Sequence, residues 1–204
     1  MIQPDKPNTR IHAAAIIAAG GVIAFRTDTF YGLGADPLNA DAVSKVRLLK
    51  SREDDKPILL LISDMNQVER FIAEPSETFR TIAERYWPAP ITLVGLARSD
   101  LPIELTAGTN SIGLRLPDDE NVRSLVRACG GSLTATSANP SARPPATTAQ
   151  EVVSYFPSSL DLIIDGGEVT LTEPSTVVDL MGATPRLIRE GAIKLEELDI
   201  LDEE

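Results

Sequence analysis

The chain has 204 residues, 19 of them Lys or Arg and 30 Asp or Glu, for a formal net charge of −11. That length suffices for one domain with a full hydrophobic core, and the acidic balance repels polyanions at long range, which argues against sequence-independent nucleic-acid binding. A single cysteine, Cys129, excludes an internal disulfide, and a single histidine, His12, excludes both a Cys/His zinc cluster and a histidine-based hydrolytic triad.

The start, MIQPDKPN, reads as flexible, and Thr9 caps an expected first helix that runs to about Ala19 and closes on Gly20 and Gly21. GVIAF follows as a buried strand. The turn-rich loop RTDTFYGLGADP leads to a helix opened by Asn39 or Asp41 and ending at Lys50, with Val43, Val46 and Leu49 on one side. PILLLIS has the apolar continuity of a buried strand, Ser63 or Asp64 caps a short helix to Ile72, and Pro75 begins another that YWPAP breaks after Trp87. ITLVGLA and SIGLRL read as strands, ENVRSLVRAC as a helix closed by Gly130 and Gly131, and SLTAT as a strand entering the SAN turn. TTAQEVVSYF is helical with Thr147 or Thr148 as cap. LDLIID, STVVDLM and PRLIRE are further strands, and KLEELDIL is a closing helix before the acidic tail LDEE. Helices dispersed among strands predict an α/β (α+β) domain built on a layered mixed sheet rather than a sandwich. No stretch approaches the roughly 18 apolar residues of a membrane span, so a cytoplasmic location without membrane partners is the expectation.

Three cations, Lys50, Arg52 and Lys56, crowd the segment KSREDDKP at the end of the second helix. Such a cluster suits phosphate oxygens, although basic residues there also satisfy a helix's last carbonyls. GLGADP has Pro37 where a dinucleotide fingerprint needs its third glycine, and no phosphate-binding P-loop occurs. TDTFYGLG offers hydroxyls, a carboxylate, a phenol and two glycines for a small polar ligand; equally, Thr27 and Asp28 can bond a local turn and Tyr31 can be a core ring. TSANPSARPP gathers Thr136, Ser137, Asn139 and Ser141 after a strand, a composition suited to an anion-binding turn or a solvent loop. Strand alternation allows Arg115 and Arg189 to point toward one sheet end. Ser175 reads as a turn residue, since no histidine can act as its base. His12 is a solvated helix residue, Cys129 a helix-end core residue, and Tyr86 with Trp87 a packing cluster.

Taken in order, TDTFYGLG, KSREDDKP, SIGLRLP, TSANPSARP, EPSTVVD and LIREG resemble the YrdC family of L-threonylcarbamoyladenylate synthases, from about Gly20 to Ile193. The resemblance implies a single three-layer YrdC-like domain, with a twisted mixed β-sheet flanked by helices and a core over about residues 9–198. It implies synthesis of L-threonylcarbamoyl-AMP and pyrophosphate from L-threonine, bicarbonate and ATP, with Mg²⁺ accompanying the nucleotide. Downstream proteins would transfer the threonylcarbamoyl group to tRNA beside the anticodon, and weak tRNA binding is compatible. By position, Lys50, Arg52 and Lys56 would hold the ATP phosphates, the first two contributing electrostatic catalysis without a dedicated base. Ser111, Ser137, Asn139 and Arg189 would complete the nucleotide site. Thr29, Tyr31, Arg115, Ala135 and Ser175 would form the L-threonine site, Ala135 through its backbone. Arg26, Leu61, Ala142 and Pro145 depart from the residues common in relatives, and the short chain resembles the single-domain type. The alternative is an RNA-binding or ribosome-maturation module, which the net charge disfavours. Carbamoyl transfer of the hydrogenase-maturation type would need zinc fingers that one cysteine cannot build.

Overall fold

The computed structural model describes residues 1–50, 56–170, 173–194, 196 and 198. Most of the basic segment, Arg52 included, and most of the expected closing helix lie outside them. The described elements run β1 (Ile2–Pro4), α1 (Pro7–Ala18), β2 (Ile23–Arg26), β3 (Tyr31–Gly34), α2 (Ala40–Leu49), β4 (Leu60–Ile62), a 3₁₀ helix (Met65–Arg70), α3 (Glu77–Tyr86), β5 (Ile91–Leu96), α4 (Ile103–Thr106), β6 (Ser111–Arg115), α5 (Glu120–Ala128), β7 (Ser132–Thr134), β8 (Thr136–Ser137), α6 (Ala149–Tyr155), β9 (Leu162–Asp165), β10 (Thr176–Asp179) and β11 (Arg186–Arg189).

The mixed α/β class expected from the sequence is present, with the strands divided between two mixed sheets. One is five-stranded in the order β1-β9-β2-β3-β8, the other six-stranded in the order β11-β10-β5-β6-β4-β7. Residues 132–137 belong to both. The chain pairs with β4 through β7 (Leu60 opposite Thr134), then with β3 through β8 (Gly32 opposite Ser137). The buried Thr134 fastens the crossing: its N–H donates to the Ala35 carbonyl (3.1 Å), its hydroxyl accepts from the Ala35 N–H (2.8 Å) and donates to the Leu33 carbonyl (3.1 Å).

Helix starts follow local polar chemistry. Asn39 accepts from the Ala42 N–H, Ser76 from Phe79, Asp119 from Val122 and Thr148 from Glu151, each cap contributing about 1 kcal/mol. Thr9, the expected cap of α1, is instead buried inside that helix, because Pro7 provides a pre-set first helical residue and moves the start to Lys6. The supposedly flexible start is strand β1, parallel to β9 with Ile2 opposite Ile163. One apolar cluster joins α1 and α5 to the sheets through Ile17, Phe25, Leu61, Val122, Leu125 and Leu133; a larger one lies under α2, α3 and α6. Leu61 belongs to the first, which explains an apolar residue there. Trp87 is buried against Phe79 and donates from its indole to the Ile91 carbonyl (2.9 Å).

Two acidic protons are trapped by folding. Burial, and after it the charge of Asp165, raises the Tyr31 phenol to about 12, and burial raises the Cys129 thiol to about 12. Unfolded, they titrate near about 10 and about 8.5. The stability each group contributes is therefore complete below its unfolded value and is lost as pH rises toward about 12. Urea unfolding midpoints should fall progressively from about pH 9 to 12, and Tyr31→Phe should flatten the part above about pH 10. A level profile across that range in the wild-type protein would contradict this account.

Candidate functional site

A cavity of about 890 Å³ opens between the two sheets, within the roughly 300–1,000 Å³ usual for small-molecule sites. Its floor is the larger sheet. Alternation along the strands brings Thr92 and Val94 of β5, Ser111, Gly113 and Arg115 of β6, and Val177 of β10 to the same face. The register places Thr92 beside Val177 and Val94 beside Gly113. A Cβ on Gly113 would stand 3.0 Å from the Thr92 methyl, so the glycine keeps this floor open. The opposite wall comes from the smaller sheet and its loops: Thr29, Tyr31 and Gly32, then Ala135, Thr136 and Ser137 of the crossing segment. Every expected site residue except Arg52, which lies outside the described residues, lines this one cavity.

Arg115 sits at the end of β6, almost fully buried at 2% exposure. Its guanidinium donates to the Thr29 hydroxyl (3.1 Å) and lies 3.2 Å from a carboxylate oxygen of Asp28. Arg189, at the end of β11, donates two N–H groups to the Ser175 carbonyl (3.2 and 2.8 Å). Burial, and then the charge of Arg115, lowers the proton affinity of Arg189; burial lowers that of Arg115, against the pull of Asp28. Arginine remains charged at ordinary pH despite such pressure. Arg115 is buried and Arg189 stands exposed at the mouth of the same cavity, and the charge that each places on the other favours anions there.

Elsewhere on the lining, Lys50 joins α2 to the SAN turn. Its ammonium donates to the Ser137 carbonyl (2.7 Å), the Ser137 hydroxyl (3.2 Å) and the Asn139 side-chain carbonyl (3.2 Å). Its own carbonyl accepts from the Ser141 N–H (3.0 Å) and hydroxyl (2.8 Å). Asn139 in turn donates to the carbonyls of Pro140 and Arg143, so the turn is held as a unit. Within it Ala142 has φ of +66°, a left-handed conformation that costs alanine about 1–2 kcal/mol. Ala142 and Pro145 both line the cavity, while Arg26 lies outside its lining, paired with Asp119 at 2.7 Å.

Two of the expected site residues are also tied into the fold. Tyr31 lines the cavity, but its hydroxyl donates to the Gly167 carbonyl (2.8 Å), because the phenol crosses its own sheet toward β9. Ala135 is at the cavity wall, yet its N–H is bonded to the Leu59 carbonyl (2.8 Å) by the sheet crossing. Sequence reasoning missed Thr92, Val94, Gly113, Val177 and Ile188. The period-two pattern that pairs Ser111 with Arg115 also selects Gly113 between them, and the same alternation in ITLVGL selects Thr92 and Val94.

The described lining residues include four cations, Lys50, Lys56, Arg115 and Arg189, and no carboxylate. On a chain of net charge −11, this concentrates positive potential in one concavity. Serine and threonine hydroxyls beside the cations add directional bonds for phosphate or carboxylate oxygens.

The chain resembles known proteins over most of its length. The family model for Sua5/YciO/YrdC proteins, described as telomere recombination, matches residues 15–191. The threonylcarbamoyl-AMP synthase of Pyrococcus abyssi is 36% identical over 187 residues, covering 92% of this chain and 55% of that protein. The threonylcarbamoyl-AMP synthase of Halorhodospira halophila is 37% identical over 169 residues, covering 82% and 88%. A crystal structure of P. abyssi Sua5 complexed with L-threonine aligns with a TM-score of 0.90 at 34% identity, covering 97% of this chain and 58% of that one. The chain thus spans little more than half the length of the Pyrococcus protein.

Gly191 holds the Ser175 side of the cavity in place. Its N–H donates to the Thr176 hydroxyl (3.0 Å), and a Cβ at this position would collide with the Pro174 carbonyl oxygen. Gly191→Ala should therefore push residues 174–176 aside and displace Arg189 with them. The expected cost is about 1–3 kcal/mol of stability, read as a lower urea midpoint; an unchanged midpoint would show that the backbone yields there freely.

Proposed function

Because the chain belongs to the Sua5/YciO/YrdC family, we propose that its cavity binds ATP and L-threonine together and that the protein makes L-threonylcarbamoyl-AMP and pyrophosphate from them and bicarbonate. The observation that carries this reading is the single cavity lined by four cations and no carboxylate among its described residues. The substrates bring a triphosphate, an amino-acid carboxylate and a one-carbon anion, all negative.

In this reading Arg115 receives the threonine carboxylate with its planar fork, flanked by Thr29, Tyr31, Ala135 and Ser175. Lys56, Arg189, Ser111, Ser137 and Asn139 take the nucleotide, and Arg52 adds a phosphate contact. Lys50 contributes its charge and holds the Ser137–Asn139 turn. The threonine amine, in its neutral form, attacks the carbon of bicarbonate or of carbon dioxide derived from it, forming a carbamate; with bicarbonate, water leaves, and with carbon dioxide, the amine loses a proton to solvent. A carbamate oxygen then attacks the α-phosphorus, forming the new P–O bond while the bond to pyrophosphate breaks. Charge accumulates on oxygens throughout, so fixed cations aimed at it, worth about 2–4 kcal/mol each in comparable sites, and alignment of the reactants supply the catalysis.

Among the described residues no group of three His, Cys, Asp or Glu side chains can hold a metal ion. Mg²⁺ therefore fits this chain as the nucleotide's companion, liganded by phosphate oxygens, and enters with the substrate. The reading also implies consumption of the product by proteins that transfer the threonylcarbamoyl group to tRNA, and a cytoplasmic setting. No helix among the described residues is long and apolar enough to cross a membrane.

Protein mixed with Mg·ATP, L-threonine and bicarbonate should yield threonylcarbamoyl-AMP and pyrophosphate by mass spectrometry, each dependent on all three substrates. Arg115→Lys keeps Asp28 paired but loses the fork. It should raise the threonine KM by about tenfold or more, about 1.4 kcal/mol per decade, with the ATP KM little changed. Failure of the wild-type protein to form the adenylate would overturn the assignment.

A further inference from the structure

One buried charge, Asp28, has no part in that mechanism. It occupies the turn between Thr27 and Thr29, both of which line the cavity, while Asp28 itself does not. Its side chain is 10% exposed and lies against the guanidinium of Arg115 at 3.2 Å. An aspartate in such a turn ordinarily earns its place by accepting a local backbone N–H. Here Thr27 does that instead: its hydroxyl accepts from the N–H groups of Thr29 (3.2 Å) and Phe30 (3.3 Å) and donates to the Phe30 carbonyl (2.7 Å). Neither Asp28 oxygen accepts a hydrogen bond from the described residues, and Arg115 Nε likewise makes none. The turn is complete without the carboxylate.

Buried ion pairs persist when further hydrogen bonds satisfy both partners; here Arg115 has Thr29 and Thr27, and Asp28 has none. What it has is charge. Arg115 is buried, shares the cavity with a second cation, Arg189, and adds to the pressure on that residue's charge. Among the groups named here, Asp28 is the anion that offsets this repulsion. Asp28 holds Arg115 by charge, alongside the Thr29 and Thr27 hydroxyls, and leaves its Nε–H without a partner among the described residues.

We propose that Asp28 is the positioning residue of the amino-acid subsite, its carboxylate anchoring the Arg115 guanidinium in the orientation that receives the substrate carboxylate. This rests on the reading of Arg115 as the partner of that carboxylate. Asp28 acts through Arg115 and touches no reacting atom.

Asp28→Asn preserves shape and removes the charge. Steady-state kinetics on the variant should show the threonine KM raised at least tenfold and the ATP KM within about twofold of wild type. In the double variant with Arg115→Lys, the threonine KM should rise no further than in Arg115→Lys alone, as expected for residues acting as one unit. The Arg115 Nε–H resonance, identified by its loss in Arg115→Lys, should be sharp and slowly exchanging in wild type and broadened in Asp28→Asn. Should Asp28→Asn fail to fold, Asp28→Glu carries the same test and should give an intermediate rise. Unchanged threonine KM, equal rises for both substrates, or additive effects in the double variant would overturn the proposal. If the wild-type protein makes no adenylate, the resonance still decides: an unaltered signal in Asp28→Asn rejects the positioning role, and a broadened one supports it while the synthase reading fails on its own test.

Discussion

A strand shared by two sheets creates the site. Thr134 is fully buried, and its backbone N–H and hydroxyl bind the chain at Ala35 and Leu33 just as the strand leaves one sheet for the other. Buried polar groups of this kind are costly unless satisfied, and here every bond also ties the sheets together. The sheets can therefore diverge beyond the crossing without separating, and the space between them is the cavity. Its walls inherit their spacing from that junction, which is why residues as distant in sequence as Thr29, Arg115 and Arg189 line one volume.

Charge is distributed against the chain's average. The surface is acidic overall, with a net charge of −11, yet Lys50, Lys56, Arg115 and Arg189 line the same concavity. Low-dielectric walls make the two buried ones, Lys50 and Arg115, count for more than an exposed cation. Three of them are held by specific acceptors: Lys50 by Ser137 and Asn139, Arg189 by Ser175, and Arg115 by Thr29 and Asp28. A preorganised cluster of this sort pays little reorganisation when an anionic transition state forms.

Much of this was legible in the sequence, because local chemistry and strong periodicity agree with the fold. Asn39, Asp64 and Thr148 cap helices where they were expected, and the apolar runs around Leu60, Leu93 and Ile163 became buried strands. Strand β1 was hidden because three residues flanked by proline carry no periodicity of their own; β9, some 160 residues away, decides their pairing. The division into two sheets was hidden for a similar reason, since SLTAT reads as one strand and only tertiary contacts show Ala135 lying between two partners. Residues that line the cavity were legible where ordered motifs supplied them. The unbonded carboxylate of Asp28 was not, because missing hydrogen bonds exist only in three dimensions.

The central claim is that one cavity between the sheets takes an amino acid at its Arg115 end and a nucleotide at its Asn139 end. A crystal structure of the protein soaked with L-threonine and a non-hydrolysable ATP analogue tests it most directly. The account predicts the threonine carboxylate on the Arg115 guanidinium and the triphosphate among Lys56, Arg189 and the Ser137–Asn139 turn. Density for either ligand outside this cavity, with the cavity itself holding only solvent, would contradict it.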